Sequence, residues 1–155
     1  MLVFGIDPGI ANTGYALVEK DKHDSFKVLE TNNFVTKKIQ TEKRLNQIFE
    51  FLKEKANSYS PDCFAIEKLY FNKNTKTALT IEEVRGIILL LAAQLNIQIF
   101  QYTPLEVKKT LTMYGKASKL ETKIILESIL KIELPKSDDA CDAVGVAMCH
   151  FLKTY

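Results

Sequence analysis

The chain has no tryptophan, two histidines, three cysteines and four prolines among its 155 residues. Cysteines this few and this scattered (Cys63, Cys141, Cys149) exclude a disulfide framework and a thiolate zinc site. Their odd number fits reduced thiols, and all three are expected to be buried and inert. The two histidines, His23 and His150, stand alone; His150, eight residues after Asp142 and close to its helical face, could approach whatever site Asp142 serves, but a surface or core place is the expectation. No apolar run is long enough to cross a bilayer, Ile87–Ala93 being the longest. The opening MLVFGIDPGIANTG lacks the basic segment of a signal peptide, so the expected location is the cytoplasm, with no membrane partner. Repeats, low-complexity tracts and Pro/Gly-rich linkers are missing too, which leaves one domain over 1–155. An excess of one charge is also lacking. With 21 basic and 19 acidic side chains the net charge is +2, which by itself does not mark a nucleic-acid binder.

What is present is a 46% hydrophobic chain, enough for a packed core. Leu2–Ile6 is nearly all apolar, as in a strand buried on both faces. Gly14–Glu19 and Lys27–Phe34 are β-rich and flank a polar Lys20–Ser25 loop, giving a three-stranded meander. From Thr41, a candidate N-cap, Leu45, Ile48, Phe49, Leu52 and Ala56 recur at helical spacing. Ser60-Pro61-Asp62 ends that helix, and Cys63–Ile66 is a short strand. Lys68–Thr75 reads as a loop. A helix from Thr77 or Thr80 to Leu95 is apolar around much of its circumference, so it is central or lies in a subunit interface. Ile97–Tyr102 is a further strand, and Pro104 suits the first position of a helix reaching about Met113. Lys119–Leu130 and Ser137–Lys153 complete the helices. The expected fold is α/β, with a mixed sheet.

Two acids close buried strands: Asp7 after Leu-Val-Phe-Gly-Ile, and Glu67 after Cys-Phe-Ala-Ile. Open α/β sheets build their sites at such carboxyl ends, and a carboxylate placed there needs a cation or donor to offset its desolvation. Ser137-Asp138-Asp139-Ala140-Cys141-Asp142 opens a helix, with Asp139 and Asp142 on one face. Acids there also serve the helix dipole, and Ser137 or Asp138 can cap. Together Asp7, Glu67, Asp139 and Asp142 would make an oxygen-only cage, suited to Mg²⁺ or Mn²⁺ and to two-metal phosphoryl chemistry. The turn Pro8–Gly14 is either a hairpin turn or a phosphate-approaching loop.

Positive charge is local. Lys108, Lys109, Lys116, Lys119 and Lys123 fall in one segment, and Lys68, Lys73 and Lys76 in another that also carries Tyr70 and Phe71. Lysines interleaved with aromatics fit phosphates and unstacked bases, unless the aromatics fold into the core.

The segments FGIDPGIANTGYAL, PDCFAIEKLYFNKN, YTPLEVKKTLTMYGKASK and DDACDAVGVAMCH resemble, in order, the blocks of the RuvC-type Holliday junction resolvases, over nearly the whole chain. That resemblance implies a ribonuclease H-like fold with a mixed five-stranded sheet flanked by helices. It implies a homodimer that cuts four-way DNA junctions by paired nicks, with two Mg²⁺ per site (Mn²⁺ able to substitute) and the RuvA and RuvB branch-migration complex as partner. By position it assigns Asp7, Glu67, Asp139 and Asp142 as metal-holding and catalytic. Asp139 takes precedence over Asp138 because Asp139-Ala140-Cys141-Asp142-Ala143 fits the family's acid-Ala-x-Asp-Ala. Lys119 joins the catalytic set. Tyr70, Phe71, Lys73, Lys76, Lys108, Lys109, Lys116 and Lys119 are the expected DNA contacts. The helix Thr77–Leu95 corresponds to the dimer helix. Where the family often has Gly-x-Gly, this chain has Met113-Tyr114-Gly115. An actin-like ATPase or sugar kinase shares the Gly-Ile-Asp-x-Gly opening but needs two such domains.

Overall fold

The computed structural model describes residues 1–68 and 75–154, with the side chains of 75–77 left aside. Among these residues five strands form one sheet: β1 (Leu2–Asp7), β2 (Asn12–Lys20), β3 (Phe26–Val35), β4 (Cys63–Glu67) and β5 (Gln98–Tyr102). Their spatial order is β3-β2-β1-β4-β5. The meander β1-β2-β3 is antiparallel, whereas β4 and β5 add parallel to β1, so the sheet is mixed as expected. Among the described residues there are five helices: α1 (Thr41–Tyr59) between β3 and β4, α2 (Thr75–Leu95) between β4 and β5, and, after β5, α3 (Pro104–Thr112), α4 (Lys119–Leu130) and α5 (Asp138–Thr154).

Alternation along the strands divides the core. Phe4, Ile6, Tyr15, Leu17, Phe64 and Ile66 pack against α1 and α2. Val3, Ala16, Val18, Cys63 and Ala65 pack against α5 and its neighbours. A side chain two residues along a strand returns to the same face. Asp7 therefore shares the α5 face with Val3 and Gly5, and Glu67 shares it with Cys63 and Ala65. Helix α5 lies very close to that face, because Gly5 and Gly14 present no side chain to it. A Cβ on Gly5 would stand 2.2 Å from the carbonyl oxygen of Ala143, and one on Gly14 would stand 1.9 Å from that of Asp139. Gly14 is also the register partner of Asp7. The same missing side chain that admits the first turn of α5 thus brings that turn beside the strand-end acid.

Local sequence accounts for most helix ends. Thr103 and Glu106 form a capping box on α3, with Pro104 in the first turn, and Ser118 and Glu121 form another on α4. Three expectations need correction. Thr41 is the first helical residue of α1 rather than its cap; Gln40 holds the cap position without a side-chain hydrogen bond. Helix α2 begins at Thr75, earlier than the apolar pattern suggested, because its first turn is polar. Cys141 is partly exposed while Cys63 and Cys149 are buried. Met113 occupies the left-handed region that ends α3 (φ 58°), a conformation glycine adopts more readily. Among the described residues, no helix is long and apolar enough to cross a membrane.

The two close approaches yield a paired expectation. Gly14→Ala must displace α5 from the sheet and should cost about 1–3 kcal/mol. Gly145→Ala, whose Cβ would meet only side-chain carbons at 3.4 Å or more, should instead gain about 1 kcal/mol of helix propensity. Urea denaturation of both variants checks the contrast.

Candidate active site

The fold brings the four sequence-selected acids to one edge. Asp7 and Glu67 end adjacent parallel strands, one step past the register pair Ile6 and Ile66, and both face α5. Asp139 and Asp142 lie in the first two turns of α5 above them. Their electrostatics couple them. Burial, then the charges of Glu67, Asp142 and Asp139, hold the Asp7 carboxyl well above the usual carboxylate range. Glu67 is pushed up to about 7 by burial and by Asp142, with Lys119 and Lys108 opposing the shift. Asp139 is raised by burial and Asp142. The donor set is oxygen-only and anionic, which fits a hard divalent cation. Among the described residues no three His, Cys, Asp or Glu side chains converge tightly enough to be a finished metal cage. The fit therefore lies in donor chemistry and placement, with the carboxylates sensing one another across the strand ends.

The basic residues sort into two groups. Lys119 opens α4, and its Nζ donates to Asp142 Oδ2 at 2.9 Å and lies 3.4 Å from Asp138 Oδ2. Lys108 lines a cleft with Glu67, Lys119, Thr122, Cys141 and Asp142. Lys109, one residue on, sits instead beside Glu106 and Lys153 on another side of α3. Lys116 is exposed in the turn between α3 and α4. Tyr70, Phe71 and Lys73 fall outside the described residues, as does the side chain of Lys76.

Three residues near the site carry weight beyond any role expected of them from sequence. Asp138 shares Lys119 with Asp142. Buried Thr13 donates to the Gly9 carbonyl oxygen at 2.7 Å and closes the turn after Asp7. Arg85, 5% exposed in α2, reaches the backbone of Glu67. A lone arginine in the apolar stretch Val84–Ala92 was the available signal for it. His150 does not enter the site. It is fully buried and joins Tyr102 (2.7 Å from Nδ1) to Cys63 (3.4 Å from Nε2), with burial holding its pKa below the usual imidazole value.

Acids on β1, β4 and α5, gathered at the carboxyl edge of a β3-β2-β1-β4-β5 sheet, place this chain among the ribonuclease H-like folds. The family model described as "Crossover junction endodeoxyribonuclease RuvC" matches residues 3–150. The chain is 44% identical to the crossover junction endodeoxyribonuclease RuvC of Caldicellulosiruptor saccharolyticus, over 99% of this chain and 94% of that protein. It is 43% identical to that of Ruminiclostridium cellulolyticum, over 97% of this chain and 91% of that protein. A structure of Thermus thermophilus RuvC superposes with a TM-score of 0.89 at 26% identity, covering 98% and 94% of the two chains. A second, of T. thermophilus RuvC in complex with Holliday junction substrate, gives the same TM-score at 24% identity and the same coverage. The chain belongs to the RuvC family.

The clustered acids also set an expectation for the metal-free protein. A carboxyl whose pKa is raised by folding keeps its proton after the unfolded chain has released it. The native state then binds more protons, and stability falls as pH rises from the ordinary carboxylate range to about 7. In metal-free buffer at pH 7, Asp7→Asn should therefore melt at a higher temperature than wild type, with a flatter dependence on pH. Mg²⁺ should raise the melting temperature of wild type and much less that of the variant. Thermal scans from pH 5 to 8 check both.

Proposed function

We propose that this protein is a structure-specific endonuclease that resolves four-way DNA junctions by paired, symmetric nicks in recombination and repair. The observation that supports this reading is the placement of Asp7, Glu67, Asp139 and Asp142 at one sheet edge, with Lys108 and Lys119 in the adjoining cleft. Residues 1–155 act as one nuclease domain. The four carboxylates would hold two Mg²⁺, or Mn²⁺ in their place, and such ions supply Lewis acidity and a stronger nucleophile from water. The protein's own groups do the rest. The carboxylates would lose their protons as the ions bind, and as anions they would orient the attacking water. Lys119, tied to Asp142, and Lys108, beside Glu67, bring positive charge to where a scissile phosphate would enter. Water oxygen bonds to phosphorus, the bond to the 3′ oxygen breaks, and that oxygen takes a proton. The ends are a 5′-phosphate and a 3′-hydroxyl.

The segment carrying Tyr70, Phe71, Lys73 and Lys76 leaves Glu67 directly and is proposed to meet the junction near its crossover, with Lys109 and Lys116 contributing farther out. A second copy of the chain is proposed to cover α2. Leu79 and Leu90 are 67% and 53% exposed there, and Gly86 between them opens onto free space. These positions share one helical stripe, a surface suited to an isologous dimer, and a two-fold dimer matches two nicks on a two-fold junction. The family resemblance further implies RuvA and RuvB as partners.

Incubation with a synthetic mobile four-way junction in Mg²⁺ should give ligatable nicks at matching positions on two strands. Asp7→Asn and Glu67→Gln should each lower the rate by about 100-fold or more while junction binding persists. Residual cutting near the wild-type rate would reject the assignment. Leu90→Glu should convert a dimer to monomers in analytical ultracentrifugation and abolish paired nicking without unfolding the chain.

A further inference from the structure

We propose that Arg85 is a positioning residue that holds the Glu67 peptide in place from the opposite face of the sheet. The inference rests on the reading of Glu67 as an active-site carboxylate and adds a residue which that reading does not use. Arg85 Nη1 donates to the Glu67 carbonyl oxygen at 2.7 Å, and Nη2 donates to Gln101 Oε1 at 2.6 Å. Its Nε lies 3.1 Å from Glu82 Oε1, an ion-pair distance, with the N–H out of line for a hydrogen bond. Burying a guanidinium is costly unless strong acceptors compensate it, so its place under a strand end calls for a reason.

Backbone register supplies that reason. The Lys68 N–H donates to the Tyr102 carbonyl oxygen, so Lys68 faces β5 and the Glu67 carbonyl faces β1. Strands β1 and β4 are parallel, with Ile6 opposite Ile66. One further step of that ladder would have the N–H of residue 8 donate to the Glu67 carbonyl. Residue 8 is proline and has no N–H. The ladder therefore ends with the Glu67 carbonyl lacking its backbone donor, and Arg85 supplies one. The planar guanidinium suits the task because a single rigid group spans two acceptors on two neighbouring strands, Glu67 on β4 and Gln101 on β5. It fixes the 67–68 peptide plane, and with it the direction of the Glu67 side chain toward α5. Since Arg85 belongs to α2, the helix proposed to carry the dimer contact is also linked to the catalytic edge.

The test compares wild type with Arg85→Lys, which keeps the charge but not the two-armed grip, and with Gln101→Ala, which frees one arm at a solvent-exposed position. Mn²⁺ binding to the DNA-free dimer is followed by electron paramagnetic resonance, junction affinity is measured in Ca²⁺, and single-turnover cleavage and melting temperature are recorded. Arg85→Lys should weaken Mn²⁺ binding and cleavage by about 10–100-fold while junction affinity stays within about twofold. Gln101→Ala should move in the same direction by less. Wild-type Mn²⁺ binding and cleavage in both variants, or losses that only track a fall in melting temperature, overturn the positioning role. Glu67→Gln runs alongside as a control. If it binds Mn²⁺ and cleaves like wild type, the carboxylate assignment itself fails. If it is inactive while Arg85→Lys is unaffected, the positioning role alone fails.

Discussion

The close approach of α5 to the sheet is the constraint on which the rest of the molecule depends. Gly5 and Gly14 make room for the helix backbone where any Cβ would collide with a carbonyl oxygen. At ordinary helix-on-sheet spacing the same four acids would exist, but Asp139 and Asp142 would stand farther from Asp7 and Glu67. The small residues of the α5 interface, Ala140, Ala143 and Ala147, belong to the same arrangement and are fully buried. A thin, tightly packed layer on this face lets polar chemistry sit at the edge of an apolar core.

That arrangement is costly to the metal-free fold. Asp7 and Glu67 are held above their ordinary pKa by burial and by one another's neighbours, and Lys119 offsets part of the repulsion through Asp142. Active sites commonly concentrate such unfavourable charge because the bound state relieves it. The opposite face compensates mechanically. The core there is apolar and closed by Phe4, Phe64, Ile66 and Ile88, and its one buried guanidinium among the described residues reaches back to the end of β4 at Glu67. Strand β4 thus meets both layers: Glu67 turns its side chain toward α5, and its carbonyl oxygen accepts from Arg85 of α2.

Much of this was legible in the residue pattern. Apolar runs ending in an acid located β1 and β4, helical spacing located α1, and Pro104 marked the start of α3. Misplacements came where a local signal was weak or shared. Thr41 has the chemistry of a cap, yet the chain turns one residue earlier, and the polar first turn of α2 hides from an apolar pattern. Lys108 and Lys109 are neighbours of the same chemistry, and the rotation of α3 sends Lys108 to the cleft and Lys109 toward Lys153. His150 shares a helix with Asp142, but its position on α5 turns it into the core.

By itself the sequence determined which residues could do chemistry: hard oxygen donors at strand ends, an acid pair on one helix face, and lysines segregated into two segments. Those are properties of side-chain type and short-range spacing, and the linear pattern carries them. The tertiary structure decided which of these groups meet. Strand order places β1 beside β4, two glycines set the height of α5, and a proline that cannot donate a hydrogen bond creates the vacancy Arg85 fills. Each depends on contacts between residues far apart in the chain, where the physical determinant is the space and hydrogen-bonding capacity one element leaves for another.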